Sequence, residues 1–359
     1  MKITIITNHS FMLYKFRKEL IERLVKENDV SIIMPLGDYS KEFLEMGCTL
    51  YDIGINRRGK KPFEEIKLYF ELKKIIKKLA PNKVITYSIK PNIYGGIICK
   101  SLRIPYYVNI TGLGSAFEHR MTAYIVTKLY RCALRKVNKV FFENKNNLIQ
   151  FTKKRIITNN KCCLLNGAGV NLDEYKFEPL KDDRIISFVF VGRIMKEKGV
   201  DELIEASKKL KQKYKDKVNI NVVGFCEDAY ESILNEYTRT GVINYVGFKK
   251  DVRLHIYNSH CLVLPSYHEG MANTILEASA CGRAIIASRI PGCMESVLDG
   301  KTGYLIEPRN ESDLYDKMDH FILLSFYEKS IMGINARKHM EVMFDKNQIV
   351  TKTVEEIMR

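Results

Sequence analysis

Two loops in the second half of the chain carry side chains whose types and spacing could do chemistry together. The first reads Gly192-Arg193-Ile194-Met195-Lys196-Glu197-Lys198-Gly199 and directly follows an apolar, strand-like run, Ile185–Val191. A glycine at a strand's carboxyl end lets a ligand approach the backbone, and Arg193 and Lys198 are two cations able to flank a diphosphate. The second reads Ser266-Tyr267-His268-Glu269-Gly270-Met271-Ala272-Asn273-Thr274-Ile275-Leu276-Glu277 and follows the strand-like run Cys261–Pro265. Gly270 permits a sharp turn, and backbone N–H groups at Ala272–Thr274 are expected to open a helix. A helix N-terminus offers unpaired donors and partial positive charge, a natural seat for phosphate. Glu277, about one turn into that helix, could accept hydrogen bonds from ribose hydroxyls, and Glu269 could hold hydroxyls of a sugar. Even a fully helical segment would separate the two carboxylates by at most about 12 Å, the span from ribose to hexose in a nucleotide sugar. Taken alone, each glutamate reads as a solvated helix or loop charge. Bracketing a strand–glycine–helix junction, downstream of a basic glycine loop, they read as a site.

The elements that must position these loops alternate. In the first half Ile3–Thr7, Val30–Met34, Val84–Tyr87, Tyr106–Asn109 and Lys139–Glu143 read as strands, separated by helical patterns such as Leu13–Lys26. The alternation restarts after about residue 180, with strands at Ile185–Val191, Val218–Val223, Cys261–Pro265 and Ala284–Ala287 and helices at Asp201–Tyr214 and Ala272–Cys281. Strands and helices at this spacing argue for parallel sheets covered on both faces. At 359 residues, two such units are expected rather than one large sheet. The reading is α/β, with two tandem Rossmann-like, doubly wound domains facing a cleft that would hold the ligand. Expected boundaries are 1–170 for the first domain and 171–344 for the second, with a C-terminal helix at about 345–359 packing back on the first. The polar stretch Asn171–Asp183, containing Pro179, is the expected linker.

Charge distinguishes the halves. The chain carries a net charge of +16, yet residues 1–165 hold 31 Lys and Arg against 13 Asp and Glu, while the remainder holds 27 against 29. A surplus confined to one half points to an anionic partner there, whether membrane, phosphate or nucleic acid, or to a solvated lysine-rich surface. Two basic segments are amphipathic. Pro62–Leu79 sets Phe63, Ile66, Tyr69 and Phe70 among Lys67, Lys73, Lys74, Lys77 and Lys78, after the run Arg57-Arg58-Gly59-Lys60-Lys61. Arg120–Lys139 mixes Met121, Tyr124, Ile125 and Leu129 with Arg120, Lys128, Arg131, Arg135 and Lys136. Such helices can lie on anionic lipid, although a helix flanking a sheet also carries an apolar stripe toward that sheet. No zinc-ligand spacing or nucleic-acid motif accompanies the charge, so no nucleic-acid partner is expected. The nine cysteines are scattered without a CxxC and read as reduced, mostly buried thiols of a cytosolic protein. No run of about 18 apolar residues predicts a membrane span, and the N-terminal run is too short for a signal peptide.

Gly192-Arg193-x4-Lys198-Gly199 together with Glu269-x7-Glu277 resembles the retaining family 4 glycosyltransferases, which have the GT-B fold. Asn166-Gly167-x-Gly169-Val170-Asn171, Tyr245-Val246-Gly247-Phe248, Pro291-Gly292-x2-Glu295 and Gly300-x2-Gly303-Tyr304-Leu305 extend the resemblance. Lys90-Pro91-Asn92 and Thr111-Gly112-Leu113-Gly114-Ser115 resemble the branch that extends undecaprenyl-diphosphate-linked sugars, N-acetylgalactosaminyltransferases among them. The resemblance implies a UDP-sugar donor, a lipid-linked saccharide acceptor, and no cofactor or metal, since no DxD-like pair is evident. It implies that Arg193 and Lys198 stabilise the departing diphosphate, with Glu269 on the sugar and Glu277 on the ribose. Gly192, Gly270, Met271, Ala272, Asn273 and Thr274 would line the donor, and the backbone near Phe248 would meet the base. The first half departs from the family pattern: Asn8-His9-Ser10-Phe11 replaces paired glycines, and Asn109-Ile110-Thr111-Gly112 stands where many members carry a histidine. His9, Lys90, Thr111 and His119 are therefore acceptor-side candidates only. The expected location is cytoplasmic, peripheral on the inner face of the cell membrane, with capsule, surface polysaccharide or protein-glycan synthesis as the setting; the oligomeric state is left open. Alternatives are an epimerase or phosphorylase of the same fold, or a sugar-nucleotide-binding protein without turnover.

Overall fold

The computed structural model describes residues 1–55, 61–112 and 120–359. The acceptor-side candidate His119, residues 57–60 of the basic run and Leu113-Gly114-Ser115 lie outside the described residues. The chain forms two compact units, one comprising Met1–Ala168 with Asn347–Arg359, the other Gly169–Lys346.

The first unit runs β1 (Lys2–Ile6), α1 (Ser10–Val25), β2 (Asp29–Met34), α2 (Ser40–Glu45), β3 (Thr49–Asp52), α3 (Pro62–Leu79) and β4 (Lys83–Tyr87). It continues through α4 (Ile89–Leu102), β5 (Tyr106–Ile110), α5 (Arg120–Leu134), β6 (Lys139–Phe142), α6 (Lys145–Lys153) and β7 (Cys162–Leu164). Its parallel sheet has the order β3-β2-β1-β4-β5-β6-β7. Side chains alternate across it. Val84, Val108 and Val140 face a core shared with Leu68, Leu72 and Ile76 of α3, Ile93 and Ile98 of α4 and Leu134 of α5. Ile3, Ile5, Ile85 and Phe141 face the other core, shared with Leu13, Leu20 and Leu24 of α1. Burial on both faces explains why these strands are nearly all apolar.

The second unit runs β8 (Ile186–Val191), α7 (Val200–Tyr214), β9 (Val218–Val223), α8 (Asp228–Arg239), β10 (Asn244–Gly247), α9 (Arg253–Tyr257) and β11 (Cys261–Leu264). Then come α10 (Asn273–Ala280), β12 (Ala284–Ser288), β13 (Gly303–Ile306), α11 (Glu311–Leu323), α12 (Phe326–Met343) and α13 (Lys346–Met358). Its parallel sheet has the order β10-β9-β8-β11-β12-β13 around a single large core. The last helix, α13, belongs to the first unit from Asn347 onward. There Ile349 and Ile357 join the α1-side core, Glu356 pairs with Lys139 at 2.9 Å, and Lys352 Nζ donates to Leu164 O at 2.9 Å.

Two expectations need correcting. The basic helical pattern over 120–139 stops as a helix at Leu134, because Lys139 opens a strand. The stretch Asn171–Asp183 is packed on the second unit rather than forming a free linker: Tyr175 is buried, and Glu178 O accepts a hydrogen bond from Arg283 Nη1 at 2.8 Å. The cysteines are free thiols, six of them buried, and burial pushes Cys48 up to about 11 and Cys99 up to about 12.

Candidate active site

In an open parallel sheet, ligands bind beyond the carboxyl ends of the strands, where the strand order reverses. In the second unit that reversal lies between β8 and β11, which are hydrogen-bonded neighbours. The Gly192–Gly199 loop leaves β8 and the Glu269 loop leaves β11. Loops far apart in sequence therefore meet at the one edge where this topology favours a ligand.

The β8 loop is held from both sides. Gly192 N donates to Val223 O at 3.0 Å and Ile194 N to Phe225 O at 2.8 Å, so the backbone continues beside the segment leaving β9. Gly224 must be glycine: its φ is +153°, and a Cβ there would lie 1.7 Å from Gly192 O. Ile194 is fully buried by this arrangement and Arg193 is left exposed. Lys196–Lys198 forms a short 3-10 turn ending at Gly199, whose φ of +70° and close approach to Pro265 O (2.1 Å from an ideal Cβ) exclude a side chain. That contact seats the β8 loop on the β11 loop. Lys198 Nζ lies 2.5 Å from Glu269 Oε1, with the two side chains 19% and 10% exposed. The expected diphosphate cation and sugar-binding carboxylate thus form a half-sequestered ion pair.

The helix that follows differs from expectation. Of the N–H groups expected to be free at Ala272–Thr274, Ala272 N donates to Gly292 O and Asn273 N to Met271 O, each at 3.0 Å. The loop after β12 folds under the start of α10 and takes up one donor, and a local turn takes the other. Met271 and Ala272 are buried in the core. The Asn273 Oδ1 and Ser266 Oγ atoms are buried without a partner among the described residues.

Glu277, on α10, shares a side-chain hydrogen bond with Tyr175. Burial, and then the charge of Glu277, hold the Tyr175 phenol well above its usual range, so it stays a proton donor to the carboxylate. Arg337 Nη1 donates to Tyr175 O at 2.9 Å and to Ala280 O at 3.0 Å, fixing Tyr175 against the end of α10. Sequence reasoning missed Tyr175; its only signal was an aromatic within a polar stretch. It also missed Phe225, 61% exposed beyond β9. Phe248, 57% exposed, follows Gly247, whose carbonyl accepts from Gly224 N at 3.0 Å.

The acceptor-side candidates lie in the first unit, whose strand order reverses between β1 and β4. His9 is the N-cap residue of α1, just beyond β1, with its ring edge-on to Phe11 at 6.1 Å. Lys90 opens α4 beyond β4, and Glu65 of α3 pairs with it while also accepting from Tyr94 Oη at 2.6 Å. Thr111 is half-buried beyond β5. Asn109, which opens the stretch that departs from the family pattern, is buried in a network: Thr86 Oγ1 donates to Asn92 Oδ1 (2.7 Å), Asn92 Nδ2 to Asn109 O (2.9 Å) and Asn109 Nδ2 to Thr86 O (3.3 Å). Behind it, Arg17 of α1 and Glu143 form a buried ion pair, with Arg17 also 5.3 Å from the Tyr87 ring centroid. Burial pushes Glu143 up, opposed by Arg17, and burial raises Tyr87 to about 12.

Comparison with known proteins decides the family. Residues 172–339 match the model for glycosyl transferases group 1, and residues 2–144 match the glycosyl transferase 4-like model. The chain is a glycosyltransferase. It is 27% identical to the N,N'-diacetylbacillosaminyl-diphospho-undecaprenol alpha-1,3-N-acetylgalactosaminyltransferase of Campylobacter jejuni, over 98% of this chain and 97% of that one. It is 28% identical to the capsular polysaccharide biosynthesis glycosyltransferase CapM of Staphylococcus aureus, over 64% of this chain and 57% of CapM. Among solved structures, Anabaena HepE in complex with UDP and glucose superposes with a TM-score of 0.80 at 17% identity, covering 99% of this chain and 98% of HepE. A Rickettsia africae glycosyltransferase superposes equally well, with a TM-score of 0.80 at 21% identity over 100% of this chain and 99% of the other. These likenesses establish the two-domain GT-B fold for this glycosyltransferase.

Proposed function

We propose that this glycosyltransferase moves a hexose or N-acetylhexosamine from a UDP-sugar to a saccharide carried on a lipid diphosphate, with retention at the anomeric carbon and without a metal. The observation that carries the reading is the Lys198–Glu269 pair at the reversal point of the second sheet, with Glu277 on the helix that follows. When the donor binds, Lys198 turns to the diphosphate and Glu269 to sugar hydroxyls. Arg193, exposed on the same loop, supplies the second cation. Glu277, oriented by Tyr175, holds the ribose, while Gly192 and the backbone of Gly270–Thr274 line the donor and the segment at Phe248 meets the base.

In the transfer the bond from the anomeric carbon to the phosphate oxygen breaks and an acceptor hydroxyl bonds to the same face. Its proton passes to the departing phosphate oxygen, leaving UDP and the extended lipid-linked glycan. Negative charge grows on the leaving group, and preorganised cations lower that barrier most effectively. Arg193 and Lys198 supply the neutralising charge that a metal provides elsewhere. The activity of the Campylobacter relative, which matches along the whole chain, supports the lipid-linked acceptor, and the complexes of HepE support UDP. CapM supports a setting in capsule or related surface glycans.

The first unit carries the acceptor side and meets the inner face of the cell membrane. It holds the basic surplus, and two of its helices have an apolar face turned outward. In α3, Leu68, Leu72 and Ile76 are buried, whereas Phe63, Ile66 and Phe70 are 88%, 55% and 61% exposed. In α5, Met121, Tyr124 and Ile125 are likewise exposed, and both helices pack against α4. Exposed aromatics flanked by lysines suit an anionic lipid interface. Among the described residues no helix is long and apolar enough to cross a membrane. The test is release of nucleoside diphosphate from a panel of UDP- and GDP-sugars, in EDTA, with and without bacterial lipid extract. Lipid-dependent release from one UDP-sugar is expected; release without acceptor, or only from a GDP-sugar, overturns the reading.

A further inference from the structure

The Lys198–Glu269 pair cannot be what keeps its own two loops in register during turnover. On the proposed reading both partners leave each other for the donor, so the ion pair opens when alignment matters most. Other contacts must hold the loops together; besides the close approach of Gly199 to Pro265, they run through Tyr267, two residues before Glu269. Its hydroxyl donates to Glu202 Oε1 at 2.7 Å, and its backbone N–H donates to Glu197 O at 2.8 Å. One bond thus reaches the first turn of α7, just after Lys198, and the other the residue just before Lys198. The ring is 9% exposed, and the Arg309 guanidinium covers it at 4.6 Å from the centroid. Next to Glu202, Asp201 accepts from Tyr230 Oη at 2.8 Å, which ties the start of α7 to α8 as well. The phenol of Tyr267 is held above its usual range, first by burial and then by the bond to Glu202, so it remains a donor. Glu202 meanwhile keeps its second oxygen, Oε2, buried without a partner among the described residues. Burying an unpaired carboxylate oxygen costs stability, so this bond is explained better by the geometry it sets than by the stability it adds.

We propose that Tyr267, held by Glu202, is a positioning residue of the donor site that fixes the Glu269 loop against the Lys198 turn while the ion pair is open. The inference rests on the reading of Lys198 as a diphosphate-binding group. It assigns a role to two positions outside the glycine–cation and paired-glutamate motifs, 65 residues apart in sequence.

The test uses the full chain, with UDP and UMP titrated by calorimetry and the thermal midpoint recorded for each variant. Tyr267→Phe keeps the ring under Arg309 and loses only the hydroxyl. It is expected to weaken UDP binding about tenfold, the scale of one hydrogen bond to a charged group, while leaving UMP, which lacks the terminal phosphate, nearly unaffected. In a Lys198→Ala background the same substitution is expected to have no further effect, because the group it positions is gone. Glu202→Leu should reproduce Tyr267→Phe, and Glu202→Gln, which still accepts the hydroxyl, should largely restore wild-type affinity. Equal weakening of UDP and UMP, or the same loss in both backgrounds, makes Tyr267 merely structural and overturns the inference. Unchanged UDP affinity in Tyr267→Phe overturns it too. If Lys198→Ala itself leaves UDP affinity unchanged, the diphosphate role of Lys198 falls and the inference falls with it. Loss in Lys198→Ala but none in Tyr267→Phe removes the inference alone.

Discussion

The two units repeat one architecture and use its reversal point differently. In the second, the loops beyond β8 and β11 bring Lys198 and Glu269 together with part of their surface open, and Arg193 stands exposed beside them. In the first, Arg17 is spent on Glu143 and Asn92 on Thr86 and Asn109, all of them buried, while the Lys90–Glu65 pair is no less open than that of the second unit. An ion pair that is sequestered and packed holds a fold; one left half-open can exchange its partner for a ligand. Burial cost explains the division, since a fully buried pair gains little unless every group is satisfied, and breaking it strands a charge. On the proposed reading the donor chemistry falls to the second unit. The first offers surface: basic charge and outward aromatics.

The largest effect that could break this contrast is on turnover. Lys198→Ala should lower kcat by about 10²–10³, the scale of losing one preorganised contact to developing charge; turnover within about twofold of wild type would remove the second unit's claim to the chemistry.

A smaller effect sharpens the first unit's side. Replacing Phe63, Ile66 and Phe70 together by Ser should reduce binding to phosphatidylglycerol-rich vesicles about tenfold and leave UDP affinity untouched. Equal sedimentation of variant and wild type with such vesicles would return α3 to an ordinary flanking helix.

The smallest effect is on stability, and it belongs to the second unit. His260 Nδ1 accepts from Ser187 N at 3.1 Å, and burial, opposed by the charge of Asp183 and the Lys181 backbone, holds its pKa below the ordinary value. Burial likewise depresses His255 and His339. Below about pH 6.5 the unfolded chain binds protons that the folded imidazole refuses. This contribution is therefore complete above that pH, is lost as pH falls from about 6.5 toward the folded value, and is constant below it. His260→Asn, which retains an acceptor for Ser187, should flatten the fall of the thermal midpoint between about pH 7.5 and 5.5; an unchanged slope would contradict the assignment.

The sequence made the buried strands readable and the edges obscure. β11 and β12 are apolar runs covered on both faces, β8 is nearly so, and β9 alternates apolar residues with Asn219 and Asn221; all four readings fall within a residue or so of their observed ends. β3 and β10 lie at sheet edges with half-exposed residues, and neither carries a run that marks it. The motif glutamates and the basic loop were legible because a strand–glycine–helix junction is local. The pairing of Lys198 with Glu269 was not, since it depends on two strands becoming neighbours across 71 residues. Tyr175 was hidden for the same reason, as its contact with Glu277 exists only once the 171–183 stretch packs on the second unit. The Ala272 amide was not readable because no local pattern shows that Gly292 comes back beneath it, and the Asn273 amide closes on Met271 only in the turn that this packing sets.

The most direct test of the donor site is calorimetric titration of UDP into the full chain and into Glu277→Ala. The account expects wild type to bind UDP and Glu277→Ala to bind it about tenfold more weakly, as loss of a charged partner to the ribose implies. Equal affinities, or no UDP binding by the wild type, would contradict it.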